Sequence, residues 1–327
     1  ARLGVCRYWP LTTGLPVVFD PAYSPPFSDG HRFPMAKFKH LADWVRASIP
    51  AANFHPPDSI DWPSIYRIHA REYVDAFQSG RLDARRLREI GLPWSDGLAI
   101  RTPLAVSGSW TTARLAATSG VACHLAGGTH HAHADRGSGF CIYNDLAITA
   151  RRLLDQGVAS RVLIFDCDVH QGDGTAQLLA GDAMTFTCSL HAEHNFPVRR
   201  ARSDLDVDLP DGLGDSEYLT VVQETWFSAC QAFRPDFVLY DAGADVHIDD
   251  VLGRLAITDQ GIYARDRFVI DACLSQRVPV ATVIGGGYDR DVERLARRHG
   301  IVVQAAMDAL TAHKTMDKHL HFGNRLA

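Results

Sequence analysis

VLIFDCDVHQGDGT, residues 162–175, passes from four consecutive apolar residues into a polar stretch carrying Asp166, Asp168, His170 and Asp173. A short, continuous apolar run marks a strand buried on both faces of a parallel sheet, whereas a half-exposed strand alternates. In extended backbone, alternate side chains point to one side, so Asp166, Asp168 and His170 can share a face at the strand's carboxyl end. Two carboxylates and an imidazole crowded there repel one another and lose hydration unless a cation neutralises them.

Two further segments repeat this design. FVLYDAGAD, residues 237–245, and VATVIGGGY, residues 280–288, each run from an apolar strand into acidic or glycine-rich sequence. In open α/β sheets ligands bind at the carboxyl edge, so the three segments are expected to converge on one site. Asp245 can add a further oxygen there. An Asp2His set plus water leaves one coordination position open, the mark of a catalytic rather than a structural site. Zinc suits such a set first; ferrous iron competes because two of the three ligands are hard oxygens.

Outward from these segments, Pro16 to Phe19 and, more weakly, Met184 to Cys188 read as strands. Helical spacing appears at Phe38, Leu41, Ala42, Val45 and Ile49, and again at Leu146, Thr149, Ala150 and Leu153 behind a cap at Asn144. Tyr218 to Phe233 and Ile262 to Cys273 are further helical stretches. Strands alternating with helices imply a mostly parallel sheet covered on both faces. No repeat or composition shift divides residues 1–327, which read as one domain.

Apolar residues make up 46% of the chain and charged residues 22%, ordinary for a globular protein. A net charge of -5 excludes the global basic field that holds nucleic acid. Seven cysteines without paired spacing fit free thiols in a reducing cytoplasm. No stretch reaches the ~20 apolar residues needed to cross a bilayer. A cytoplasmic location without a membrane partner is therefore expected.

The segment GGTHHAHADRGSGFCIYND, residues 127–145, sets His130 and His131 in a glycine-flanked, close-packed loop. A neutral imidazole beside a bound water can take its proton, while a carboxylate behind it fixes the tautomer. Asp166 and Asp173 are available for that backing. His133 reads as structural or exposed. Tyr288 follows three glycines that permit a tight bend, which lets its phenol turn toward a ligand and stabilise an oxyanion.

Taken together, these blocks resemble the histone deacetylase superfamily, which also holds acetylpolyamine amidohydrolases and bacterial acetoin-utilisation proteins. HAREYV (69–74), the tandem-histidine block, DCDVHQGDGT, DLPDGLGDSEYL (208–219), DAGAD and GGGY occur in the family's order. The context DAGADVHIDDVLGRLAIT is closest to the class IV branch and its bacterial homologues. The resemblance implies an α/β fold of the arginase/deacetylase type, three-layer αβα around a central, mostly parallel sheet of about eight strands. It also implies a zinc-dependent amidohydrolase that removes acetyl or longer acyl groups from the side-chain amine of lysine in a peptide or protein. The alternative is an acetylpolyamine or other small acyl-amine substrate.

By the same resemblance the metal ligands are Asp168, His170 and Asp245. His130 and His131 serve as general base and electrostatic partner or acid, oriented by Asp166 and Asp173. Tyr288 polarises the scissile carbonyl. Gly139 and Phe140 form one tunnel wall and Phe196 the other, with Leu252 and Gly286 against the substrate. A structural potassium ion takes Asp166 and Ser189 through side chains, and Asp168, His170 and Leu190 through backbone oxygens. Residues 249–253 read Asp-Asp-Val-Leu-Gly where many relatives carry Gly-Asp-Pro-Leu-Gly. Leu252 stands where polyamine-selective members place an acid, so it offers a distal ammonium no anchor and favours acyl-lysine. Asp249 and Asp250 along an open mouth would favour the small molecule. Lys37 stands near the place of an arginine that lines an internal cavity in relatives.

Overall fold

The computed structural model describes residues 9, 14–27 and 30–323, with side chains described to residue 315. Eight strands form one sheet: β1 (Leu15–Val18), β2 (Ala52–His55), β3 (Val121–His124), β4 (Val162–Asp166), β5 (Thr185–Ala192), β6 (Leu205–Leu209), β7 (Phe237–Asp241) and β8 (Val280–Val283). Their order is β2-β1-β3-β8-β7-β4-β5-β6, and every neighbouring pair is parallel. Ten helices complete three layers: α1 (Lys37–Ser48), α2 (Trp62–Ile68), α3 (Arg71–Gln78), α4 (Ala84–Ile90), α5 (Asp96–Ser119), α6 (Asp145–Asp155), α7 (Asp173–Leu178), α8 (Asp215–Phe233), α9 (Asp259–Ser275) and α10 (Val292–Gly323).

Strand alternation divides the core in two. Leu163, Phe165, Val238 and Tyr240 pack with apolar residues of α1, α8, α9 and α10 on one face. Val162, Ile164, Phe237 and Leu239 pack with Trp110, Ala113, Leu146 and Ala150 of α5 and α6 on the other. This double burial explains the uninterrupted apolar runs of the central strands.

Every strand read from the sequence is present, within a few residues at each end. Asn144 caps α6 as expected, its side chain accepting from Ala147 N at 2.8 Å. The helices expected from Tyr218 and Ile262 begin three residues earlier, α9 being capped by Thr258 on Gly261 N. Unforeseen were β2 and β6, partly exposed strands at the two sheet edges, and β3, only four residues long. Helix α5 also went unread, because it is buried around most of its circumference and shows no polar stripe to mark its period. The six cysteines among the described residues are free thiols. No described helix is long and apolar enough to cross a membrane.

The four central strands β3, β8, β7 and β4 are neighbours, and their carboxyl ends release the chain into residues 125–145, 285–288, 242–245 and 167–173. Every sequence block with chemical content thus opens onto one stretch of the sheet edge.

Candidate active site

Asp168, His170 and Asp245 are buried, and one ligand atom from each lies within 4.8 Å of the other two. His170 Nδ1 stands 3.0 Å from Asp168 Oδ1 and 3.1 Å from Asp245 Oδ2. The second oxygens of both acids are spoken for: Gly286 N donates to Asp168 Oδ2 at 2.6 Å, and Val169 N to Asp245 Oδ1 at 2.9 Å. Burial raises the Asp245 pKa to about 6, with Asp168 pushing the same way. Burial works to lower that of His170, but the two carboxylates overcome it and raise the value to about 10. The site thus carries an excess of negative charge that holds a proton on the imidazole when no other cation does. One nitrogen and two carboxylate oxygens converging in a dry pocket fit a divalent transition metal, zinc or ferrous iron, with a position left for a ligand. Gly286 is obligatory, since a Cβ there would sit 2.0 Å from Asp245 Oδ2.

The tandem histidines form two dyads with opposite proton preference. His130 Nδ1 is 2.8 Å from Asp166 Oδ2, and His131 Nδ1 is 2.6 Å from Asp173 Oδ1. Their Nε2 atoms face each other at 3.1 Å. With each Nδ1 proton held by a carboxylate, one further proton shared by the pair gives it one positive charge. Burial works to lower the His130 pKa, but Asp166 and Asp168 outweigh it and raise the value well above the ordinary range. Burial and then the neighbouring His130 lower His131 to about 4. The charge therefore rests on His130, leaving His131 neutral. His133 is not solvent-exposed: it is buried, with Nε2 3.2 Å from Asp173 Oδ2 and Nδ1 2.6 Å from Gln177 Oε1.

Tyr288 closes the other side, 6.4 Å from His170 and 5.8 Å from Phe140 between ring centroids. Its loop is tied twice, by Tyr288 N donating to Asp250 Oδ2 at 2.7 Å and by Lys37 Nζ donating to Gly287 O at 3.2 Å. Burial raises the phenol pKa well above 10, so the group keeps its proton and remains a donor.

Two chambers meet at these residues. The outer one, of about 340 Å³, is lined by Gly139, Phe140, Phe196 and Leu252 and reaches His131, His170 and Tyr288. The Phe196 ring stands edge-on to His131 at 4.8 Å. Gly139 adopts a φ of 51°, and a Cβ there would meet the His131 ring at 2.6 Å. The inner chamber, of about 40 Å³, lies beyond Asp168 and is lined by Lys37, Arg101, His130 and Gly286. Lys37 takes the lining place expected of it, and the arginine of this cavity is Arg101 from α5, which sequence reasoning missed.

Of the residues expected at a potassium site, Ser189 pairs with Asp166 across the β4–β5 ladder and Leu190 follows it, fully buried. The Ser189 hydroxyl is 2.9 Å from His191 Nδ1. Asp166 also joins His130 and Asp241 in a second group of buried ligand atoms within 4.8 Å of one another. Neither Asp249 nor Asp250 lines the outer chamber, the arrangement that would have favoured a small acyl-amine. Asp250 turns inward to accept from Leu252 N, Gly253 N and Tyr288 N, and Asp249 leans toward Arg298 at 3.7 Å.

His69, Asn144 and Asp145 lie in sequence blocks that were read, but their support of the histidine loop was not. His69 binds His133 O through Nδ1 at 2.8 Å and Asn144 N through Nε2 at 2.9 Å. Asn144 Nδ2 donates to His130 O and Ala132 O, and Asp145 accepts from Gly128 N and Thr129 N. Together they fix the tandem-histidine loop from behind.

A model of the histone deacetylase domain matches residues 31–306. An uncharacterized protein of Picosynechococcus sp. is 46% identical over 297 residues, which span 90% of this chain and 99% of that one. Acetoin utilization protein AcuC of Staphylococcus aureus is 30% identical over 289 residues, 80% of this chain and 73% of its own. Histone deacetylase 2 of Arabidopsis thaliana is 29% identical over 237 residues, 70% of this chain and 61% of its own.

Proposed function

The chain belongs to the histone deacetylase family, and on that premise we propose that it acts as one catalytic domain, a zinc-dependent amidohydrolase that removes short acyl groups from the side-chain amine of lysine. The observation that carries this reading is the placement of the Asp168, His170 and Asp245 triad, neutral His131 and protonated Tyr288 around the inner end of one tunnel. Asp168, His170 and Asp245 would hold the metal, with zinc preferred over ferrous iron. Asp166 and Ser189, with backbone oxygens of Asp168, His170 and Leu190, would hold a potassium ion, which the side-by-side register of Asp166 and Ser189 supports.

When bound, the metal would supply the Lewis acidity that polarises the acyl carbonyl and acidifies a water. The residues of the chain do the rest. Phe140 and Phe196 exclude water around the methylene stem of the substrate, with Gly139 leaving room between them. His131 takes a proton from the attacking water through Nε2, while Asp173 fixes its tautomer and the charged His130 stabilises negative charge nearby. Tyr288 donates its O–H to the oxyanion. The carbon–nitrogen bond then breaks as the amine takes the proton from the histidine pair, leaving a free lysine and a carboxylate.

An inner chamber of about 40 Å³ bordered by Lys37 and Arg101 supports an acetyl-sized acyl group rather than a long chain. With Asp249 and Asp250 outside the outer chamber and Leu252 in its wall, the described lining offers no acid to the distal ammonium of a polyamine. Turnover of the zinc-loaded protein should therefore be greatest on acetyl-lysine peptides and fall steeply through octanoyl- to myristoyl-lysine. Turnover confined to N-acetylputrescine and N-acetylspermidine would refute the lysine assignment.

A further inference from the structure

The wall of the outer chamber has a charge of its own. Of its titratable side chains outside the triad, dyads and Tyr288, Arg32, His194 and Arg254 line the lip, and among the described residues no carboxylate does. Among the described residues Arg32 takes part in no ion pair. Arg254 pairs with Asp211 at 3.1 Å, and that acid also faces His194 at 3.4 Å. One carboxylate set back from the chamber thus serves two of three basic groups. Because the whole chain carries a net charge of -5, the local excess runs against the charge of the molecule.

The acids that precede Arg254 in the same loop are committed elsewhere. Asp250 is consumed by three backbone N–H groups, and Asp249 leans toward Arg298 and His247. The lip is therefore a half-exposed cationic rim around a neutral, aromatic tunnel. Guanidinium groups at such a rim attract and orient carboxylates and repel ammonium ions, an effect that appears in association and discrimination.

We infer that Arg32 and Arg254 select acyl-lysine substrates carrying a carboxylate next to the modified residue. This inference rests on the reading of the site as a lysine deacylase and names the part of the substrate outside the tunnel. The carboxylate has two possible sources, an acidic side chain flanking the lysine in a peptide or the α-carboxylate of free Nε-acetyl-lysine. The rim also opposes rebinding of the product, since deacylation turns a neutral amide into an ammonium that must pass the rim to return to the floor.

The test uses the zinc-loaded full chain and acetyl-lysine heptapeptides that differ only in having Glu, Gln or Lys on both sides of the modified residue. Free Nε-acetyl-lysine and its α-carboxamide form a second matched pair. The expected order of kcat/KM is Glu above Gln above Lys. A Glu-to-Gln ratio of about fivefold near 50 mM salt should shrink toward unity near 500 mM. Arg32→Gln and Arg254→Gln should each lower that ratio, and Asp211→Asn, which frees Arg254, should raise it. A preference within the free amino-acid pair alone assigns the rim to the α-carboxylate, and one within the peptides alone to flanking acids. Anisotropy of the same peptides, dye-labelled at the far end, reads the rim without turnover. Equal affinities for the Glu and Gln peptides would overturn the inference even if both are hydrolysed, whereas binding preference without hydrolysis would overturn only the deacylase reading.

Discussion

The floor of the tunnel and its lip are built on opposite terms. At the floor, Asp166, Asp168, Asp173, His130, His131 and Asp245 are all nearly inaccessible to solvent, and each faces a partner within hydrogen-bonding distance. At the lip, Arg254 and His194 keep more than half of their side-chain surface in water. Burial makes charge expensive at the floor, so every proton there is set by a neighbour. Water screens the lip, so its charges bias encounter without fixing geometry. Substitutions at the floor should therefore abolish chemistry, and those nearer the lip should alter substrate choice.

The largest effect is expected where that contrast is deepest. Asp245→Asn removes one of the two carboxylates that attract a cation while preserving shape. It should cost roughly a thousandfold or more in kcat with zinc content reduced in parallel, as read by metal analysis of the purified protein. Full turnover at full zinc occupancy would show that the floor does not work through the triad. Chelation of the parent protein should give the same loss, reversed by added zinc.

Tyr288→Phe comes next, about 10²–10³-fold in kcat with zinc retained, because a single oxyanion donor is lost. The comparison is sharpened by Phe196→Ala, halfway up the tunnel. Phe196 is 42% exposed and touches His131 only edge-on, so its removal should act mainly on KM, by about tenfold or less. A larger loss in kcat than in KM would move Phe196 from the lip's set to the floor's.

The same division governs what could be read without coordinates. The floor was legible because its groups come in short strings at strand ends, DCDVHQGD, DAGAD and GGGY, whose strands are buried on both faces. The parts that went unread depend on partners far along the chain. Lys37 was placed by the inner cavity but its bond to Gly287 O, across 250 positions, was not; Arg101 reaches Tyr23 O across 78, and His69 reaches Asn144 across 75. Asp241 lies inside a block that was read, yet nothing in DAGAD tells that its carboxylate approaches His130 and Asp166. At the mouth the placing of Asp249 and Asp250 stayed open, since composition cannot tell that three backbone N–H groups, those of Leu252, Gly253 and Tyr288, draw Asp250 inward. Strand β3, which delivers the tandem histidines, escaped because four residues behind a long buried helix show no period of their own.

His69 tests how firmly the floor is held from outside. Its Nε2 accepts from Asn144 N and its Nδ1 donates to His133 O, so both nitrogens are committed and the ring is neutral. Burial lowers its pKa to about 4, against about 6.5 for an unfolded histidine. Above pH 6.5 neither state binds the proton and the contribution to stability is complete. Between about pH 6.5 and 4 the unfolded chain takes up a proton that the folded one refuses, so stability falls with falling pH and levels off below 4. In His69→Gln that uptake is gone, and although the variant should be less stable at pH 7, its melting temperature should decline less between pH 7 and pH 5 than that of the parent. Equal declines would mean that the ring can be protonated in place, and that the histidine loop is anchored by Asn144 and Asp145 without it.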